Sequence, residues 1–198
     1  GWVCGGAQAV VLALLDVLTP TGTLVVPTQT GENSEPSYWS HPPVDASWWP
    51  IIRAHMPAFD PQITPSQHMG VIPELVRTWP GSVRSTHPAV SFAAVGQDAA
   101  SLMADHSLDD GLGEGSPLRR MYDRAGWVLL VGVDHESNTS LHLAQYRVPQ
   151  SATRREMGAA ILHDGQRIWQ LYSDLDLDTD DFPAIGAAFE AQQNYRPR

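Results

Sequence analysis

The chain has 198 residues, 42% of them hydrophobic, which suffices for one buried core and, at this length, one domain spanning residues 1–198. Twenty-two acidic residues stand against twelve arginines and no lysine, a formal net charge of −10. That balance opposes nucleic-acid binding and favours attraction of cations.

Cys4, the only cysteine, excludes an internal disulfide and carries no secretory pattern, so a reducing, cytoplasmic setting is expected, with Cys4 as a small buried filler. Gly5-Gly6 precedes residues 7–18, strong helix formers that are apolar on almost every side and predict a helix buried between other elements. The unpaired N–H groups at its start suit an anion. The longest apolar run, residues 9–15, is too short to span a bilayer, so no membrane role is expected. Thr21-Gly22 marks a turn, and residues 23–28 read as a short strand. Residues 29–50 form a long loop carrying Glu32, Glu35, Tyr38, Trp39, His41, Asp45 and Trp48, and loops of this length are commonly functional. Trp48 and Trp49 are expected to pin it to the core.

Residues 69–79 predict a helix that tolerates Pro73 near its first turn, and Pro80-Gly81 ends it. A strand over 90–95, a helix over 98–105 and a proline-led helix start at Ser116-Pro117 follow. Residues 127–133 are an unbroken apolar run that reads as a central strand covered on both faces. Residues 157–162 and 167–173 flank Asp164-Gly165, a hairpin turn, and residues 181–192 close the chain as a helix. The pattern as a whole predicts an α/β fold with a mixed central sheet flanked by helices.

His142 follows the apolar run across a polar loop, where the next helix would present it at a sheet edge. An imidazole exchanges protons near neutral pH and is a natural general base. Gln145, three residues on, shares its helix face and can hydrogen-bond it without supplying charge. Thr28, Thr139 and Ser140 are candidate donors to an oxyanion. A serine hydrolase using Ser91 with His87 or His142 is the alternative chemistry, and no Gly-x-Ser-x-Gly elbow supports it. The histidines form no His-Glu-x-x-His motif, and the acidic run 174–180 departs from a calcium loop at its sixth and twelfth places, so no metal is expected. Asn138-Thr139-Ser140 also matches a glycosylation sequon, taken as coincidental in the absence of a secretory signal.

Asn138-Thr139-Ser140-Leu141-His142-Leu143-Ala144-Gln145 closely resembles the signature Asn-Thr-Ser-x-His-x-x-Glu of the aminoglycoside 3-N-acetyltransferases. Further matches run in order: Gly5-Gly6-Ala7, Pro27-Thr28-Gln29-Thr30, Ser37-Tyr38-Trp39, His87-Pro88 with Ser91-Phe92, Asp105-His106, Gly113-Glu114 and Ser116-Pro117-Leu118. The resemblance implies transfer of acetyl from acetyl-CoA to the 3-amino group of a 2-deoxystreptamine antibiotic, conferring resistance, by a monomer or homodimer that uses no metal. It places His142 and Gln145 at the chemistry, Gly5, Gly6, Thr28, Ser91 and Ser116 against coenzyme A, and Glu35, Tyr38, Asp134, Glu136 and Asp174 against the antibiotic. Against the family pattern the chain looks short at both ends, and Gln145 replaces a glutamate. On this reading a glutamate restored at 145 would raise turnover, and a catalytically weakened coenzyme A or antibiotic-binding homologue is the second hypothesis.

Overall fold

The computed structural model describes residues 3–148 and 153–193. A three-stranded antiparallel sheet lies at the centre, with β3 (Phe92–Gly96) between β1 (Thr23–Pro27) and the two-residue β2 (Val83–Arg84). Strand alternation divides its side chains between two helical layers. Val26, Ala93 and Val95 face α1 (Gly6–Leu18) and α3 (Val71–Arg77), packing with Val11, Leu15, Ile72 and Val76. Val25, Phe92 and Ala94 face the opposite way, toward α4 (Ala99–Met103), α5 (Pro117–Asp123) and α6 (His142–Arg147). Leu102, Leu118 and Leu143 fill that second layer.

Beyond this unit, β4 (Arg154–His163) and β5 (Gln166–Leu175) form a ten-residue antiparallel hairpin closed at Asp164-Gly165. Both turn residues have positive φ, 50° and 75°, the conformation that matches a two-residue turn to the twist of its strands. The long loop docks on this hairpin. Asn33 exchanges side-chain hydrogen bonds with the backbone of Ala160, and the Phe59 amide donates to the Ala160 carbonyl at 2.8 Å. A short helix, α2 (Trp49–His55), closes the expected loop, and Arg167 of β5 ties to its end through the Met56 carbonyl. α7 (Phe182–Gln193) completes the described structure.

The α/β class holds, and every ladder among the described residues is antiparallel, with one parallel bridge between Phe59 and Ile161. The strand expected over 127–133 is not formed. The segment has no ladder partner among the described residues, Trp127 is 99% exposed, and Gly132 bends the chain at φ 69°. An apolar run supplies side chains for a strand, but backbone pairing makes one, and here no neighbour accepts it. Cys4 is exposed, not buried. Trp48 is also largely exposed and does not pin its loop, whereas Trp49 donates from its indole to the Val44 carbonyl at 3.2 Å. The helix α1, expected to be enclosed, buries Val11 but leaves Leu12 and Val17 in solvent. Among the described residues no helix is long and apolar enough to cross a membrane.

Candidate active site

The segment around His142 is built from its own polar residues. The Asn138 side chain accepts from the Ser140 amide at 3.2 Å, capping a short turn that feeds directly into α6. Within α6, Leu143 and Tyr146 point into the core while His142 and Gln145, one turn apart, share a second face. That face packs on the start of α7, where the Phe182 ring lies 4.9 Å from the imidazole. His142 is buried. Its Nδ1 is 2.6 Å from Oε1 of Gln145, and Gln145 Nε2 donates to the backbone carbonyl of Asp178 at 3.0 Å. Burial lowers the His142 pKa from its ordinary value, opposed by the Gln145 hydrogen bond and the Asp178 charge.

Other residues expected in the site are directed elsewhere. Thr28 and Ser91 are fully buried, and both hydroxyls lie 3.1 Å from Nε of Arg84, whose Nη2 donates to the Thr28 carbonyl at 2.7 Å. Their side chains therefore hold a buried guanidinium and face no open surface, against the expected contact with coenzyme A and the oxyanion role of Thr28. Ser116 is likewise enclosed, capping α5 through the Leu118 amide and donating to the Gly113 carbonyl at 2.6 Å. Gly5 and Gly6 keep left-handed backbones, and no side chain caps α1. Their helix packs on α3 and β1, on the opposite side of the sheet from α6.

Among the acids expected to meet an antibiotic, Glu35 is buried, accepts from the Ser37 amide at 3.2 Å and pairs with Arg53. Burial would raise its pKa, yet the Arg53 and Ser37 hydrogen bonds outweigh it and hold the carboxyl below its ordinary value. Tyr38 lies under the Arg155 guanidinium, 4.3 Å from ring centre to Cζ. Asp174 is buried as well: Tyr146 donates to Oδ1 at 2.7 Å and the Gly111 amide to Oδ2 at 2.9 Å. It clasps β5 to α6 and to the loop before α5, and is not a free anion for a cationic sugar. Asp134 and Glu136 do remain exposed, on the turn that leads toward α6.

A family model described as aminoglycoside 3-N-acetyltransferase matches residues 1–198. The chain belongs to that family. The SPbeta prophage-derived aminoglycoside N(3')-acetyltransferase-like protein YokD of Bacillus subtilis is 46% identical over 198 residues, covering 99% of this chain and 72% of that protein. Its crystal structure superposes with a TM-score of 0.94 over 97% of this chain and 71% of the other. Aminoglycoside N(3)-acetyltransferase IX of Micromonospora chalcea is 40% identical over 191 residues, 92% of this chain and 64% of that enzyme. The structure of AAC-IIIb in binary complex with CoASH is 30% identical, with a TM-score of 0.83 over 97% of this chain and 74% of that one. The chain thus spans about two thirds to three quarters of these relatives.

Asp178, Phe182 and Arg84 were not singled out by the sequence. Asp178 was hidden in the acidic run 174–180, and what joins it to Gln145 is a backbone carbonyl, a group every residue has. Arg84 belongs to no motif; its pKa, lowered by burial to about 10, reflects enclosure by Thr28, Ser91 and Phe59. Among the described residues no cluster of three or more His, Cys, Asp or Glu could hold a metal ion.

Proposed function

We propose that this chain carries the acetyl-transfer site of an aminoglycoside N(3)-acetyltransferase, with His142 as general base. The observation that carries the reading is the buried imidazole in hydrogen-bond contact with Gln145, within a chain matched along its whole length by the family model. The substrate's 3-amino nitrogen attacks the thioester carbonyl of acetyl-CoA, forming the C–N bond as the C–S bond breaks. His142 takes the amine proton through Nε2 and returns it to the departing thiolate, so that coenzyme A leaves as the thiol. Half-buried Thr139 and Ser140, on the turn before α6, supply polar groups near the developing oxyanion. Asp134, Glu136 and Asp178, exposed on segments around α6, add to the negative field that draws in a polycation. Gly5 and Gly6 remain the candidate anchor for coenzyme A. The protein would act in the cytoplasm as a monomer or homodimer, and resistance to the antibiotic would follow.

Thiol release from acetyl-CoA across a small panel of aminoglycosides tests this. His142→Ala should lower the rate by about a hundredfold or more, the usual size of a general-base contribution. A variant as active as the parent removes His142 from the mechanism. Calorimetric binding of coenzyme A and antibiotic by a parent that releases no thiol would instead support a binding homologue, a reading favoured by the neutral amide at position 145.

A further inference from the structure

Which ring nitrogen of His142 carries the proton is decided by what Gln145 offers it. A carboxamide has an accepting end and a donating end, so fixing one fixes the other. At Gln145 the donating end is held: Nε2 donates to the Asp178 carbonyl at 3.0 Å, and that oxygen can only accept. Oε1 therefore faces His142 Nδ1, 2.6 Å away. It too can only accept, so a neutral imidazole must place its hydrogen on Nδ1. Nε2 is left as the basic nitrogen.

We propose that Gln145, clamped by the backbone carbonyl of Asp178, is a tautomer lock that keeps Nε2 of His142 an open base without lending it a negative charge. The proposal rests on His142 being the base and adds how that base is prepared. Its consequence is a site that stays basic in mildly acidic solution. From α6 itself the imidazole meets neutral Gln145, while Arg147 is turned to Glu114 at 2.6 Å. From α7 it meets the Phe182 ring, and Glu190 is engaged by His135 at 3.3 Å. The turn before α6 carries Asp134 and Glu136, both exposed. The loop before α7 contributes Asp178, whose charge favours the imidazolium but does not overcome burial; Asp180 there donates its amide to the Asp178 side chain at 3.2 Å.

A glutamate at 145 would undo both halves of this arrangement. It would bring a charge to Nδ1, and would set a carboxylate oxygen against the Asp178 carbonyl where an N–H now donates. The expectation that Gln145→Glu simply raises turnover is therefore replaced by a shift in pH dependence. Imidazole nitrogen-15 spectra of histidine-labelled, ligand-free protein, with His142 assigned by its loss in His142→Ala, test the lock directly. The parent should show a protonated Nδ1 and a bare Nε2. Gln145→Met, which keeps the side-chain length and removes the hydrogen bonds to His142 and to the Asp178 carbonyl, should show a mixture of tautomers and a kcat/KM lower by about tenfold. Gln145→Glu should move the acid limb of kcat/KM upward by about one pH unit, since a close opposite charge favours the imidazolium. A parent with its proton on Nε2, a Gln145→Met spectrum identical to the parent's, or an unmoved acid limb in Gln145→Glu would each overturn the proposal. The spectra need no substrate. A parent with the expected tautomer that releases no thiol would sink the acetyltransfer reading and leave the lock standing.

Discussion

Asp174 lies at the head of the run Asp174-Leu175-Asp176-Leu177-Asp178-Thr179-Asp180, where alternation suggests a solvated acid. Its environment is the reverse. The phenol of Tyr146 and the amides of Gly111 and Leu175 all donate to it, and burial raises its pKa despite them. The carboxylate is thus an acceptor of several donors at a junction between three segments, and an amide cannot replace it without turning an N–H toward one of them. Asp174→Asn should lower the unfolding free energy by about 1–3 kcal/mol, the cost of leaving buried donors unmet, and leave the Michaelis constant for an aminoglycoside unchanged. Urea titration with parallel steady-state kinetics checks this. A raised Michaelis constant at undiminished stability would return Asp174 to the antibiotic site. Gln145 teaches the complementary lesson: its spacing from His142 was legible as a shared helix face, but the direction of its amide was not, because the Asp178 carbonyl that orients it is remote in sequence.

At the scale of elements, the seat of His142 depends on how α7 meets the turn His135–Ser137. A glycine makes that approach possible. A Cβ at Gly186 would come within 2.2 Å of Cγ of His135, whose ring also meets Phe189 and Glu190. Gly186→Ala should therefore push the turn off the helix at a cost of about 1–3 kcal/mol, typical of overpacking. Because α7 also supplies Phe182, activity should fall with stability. Adding His135→Gly removes both the ring and its Cβ, which would lie 2.5 Å from the new methyl, so the double variant should lose less stability than the two single variants summed. Additive losses in thermal unfolding would show that the two residues do not share this contact. The hairpin, by contrast, was plain from Asp164-Gly165 and its flanking β-formers, because a two-residue turn and its strands are specified by neighbours in sequence. Residues 127–133 had the same local credentials and formed no strand, since pairing is a property of a partner.

The whole molecule carries a titratable core. His87 accepts the amides of Ala89 and Val90 at Nδ1, both at 3.1 Å, and its ring lies 4.9 Å from that of His106. His106 is fastened between the Ser85 hydroxyl at 2.9 Å and the Gly111 carbonyl at 2.6 Å. Burial depresses both pKa values, His87 to about 3 with a contribution from the neighbouring imidazole, and His106 to about 4. In the unfolded chain both return to about 6.5, so the unfolded state takes up protons first as pH falls. Their contribution to stability is complete above about pH 6.5 and is lost progressively on descending toward pH 4. Urea midpoints should fall steadily from pH 6.5 to 4.5, before most carboxylates titrate. His106→Gln, though less stable, should show a shallower slope than the parent, the remainder coming from His87 and the buried His142. A slope unchanged in the variant would place the acid sensitivity elsewhere. The net charge of −10 sets a second property of the whole: the Michaelis constant for a polycationic antibiotic should rise with ionic strength, and Asp134→Asn combined with Glu136→Gln should flatten that rise. Equal salt slopes in parent and double variant would remove these two acids from substrate attraction.

The sequence by itself determined the α/β class, the order of most elements, the hairpin and the family, because each is written in short-range periodicity, turn residues and motif spacing. It also singled out His142 and Gln145 as neighbours on one helical face. Only the tertiary structure decided which polar residues are buried. Thr28 and Ser91 enclose Arg84, Ser116 caps a helix, and Asp174 joins three segments, although nothing local distinguishes them from surface groups. It decided, too, that the most apolar run would lack a strand partner among the described residues, and that a backbone carbonyl from the loop before α7 would aim the amide facing His142. Burial and backbone pairing are relations between distant parts of the chain, and a pattern read over a few residues contains only one side of each.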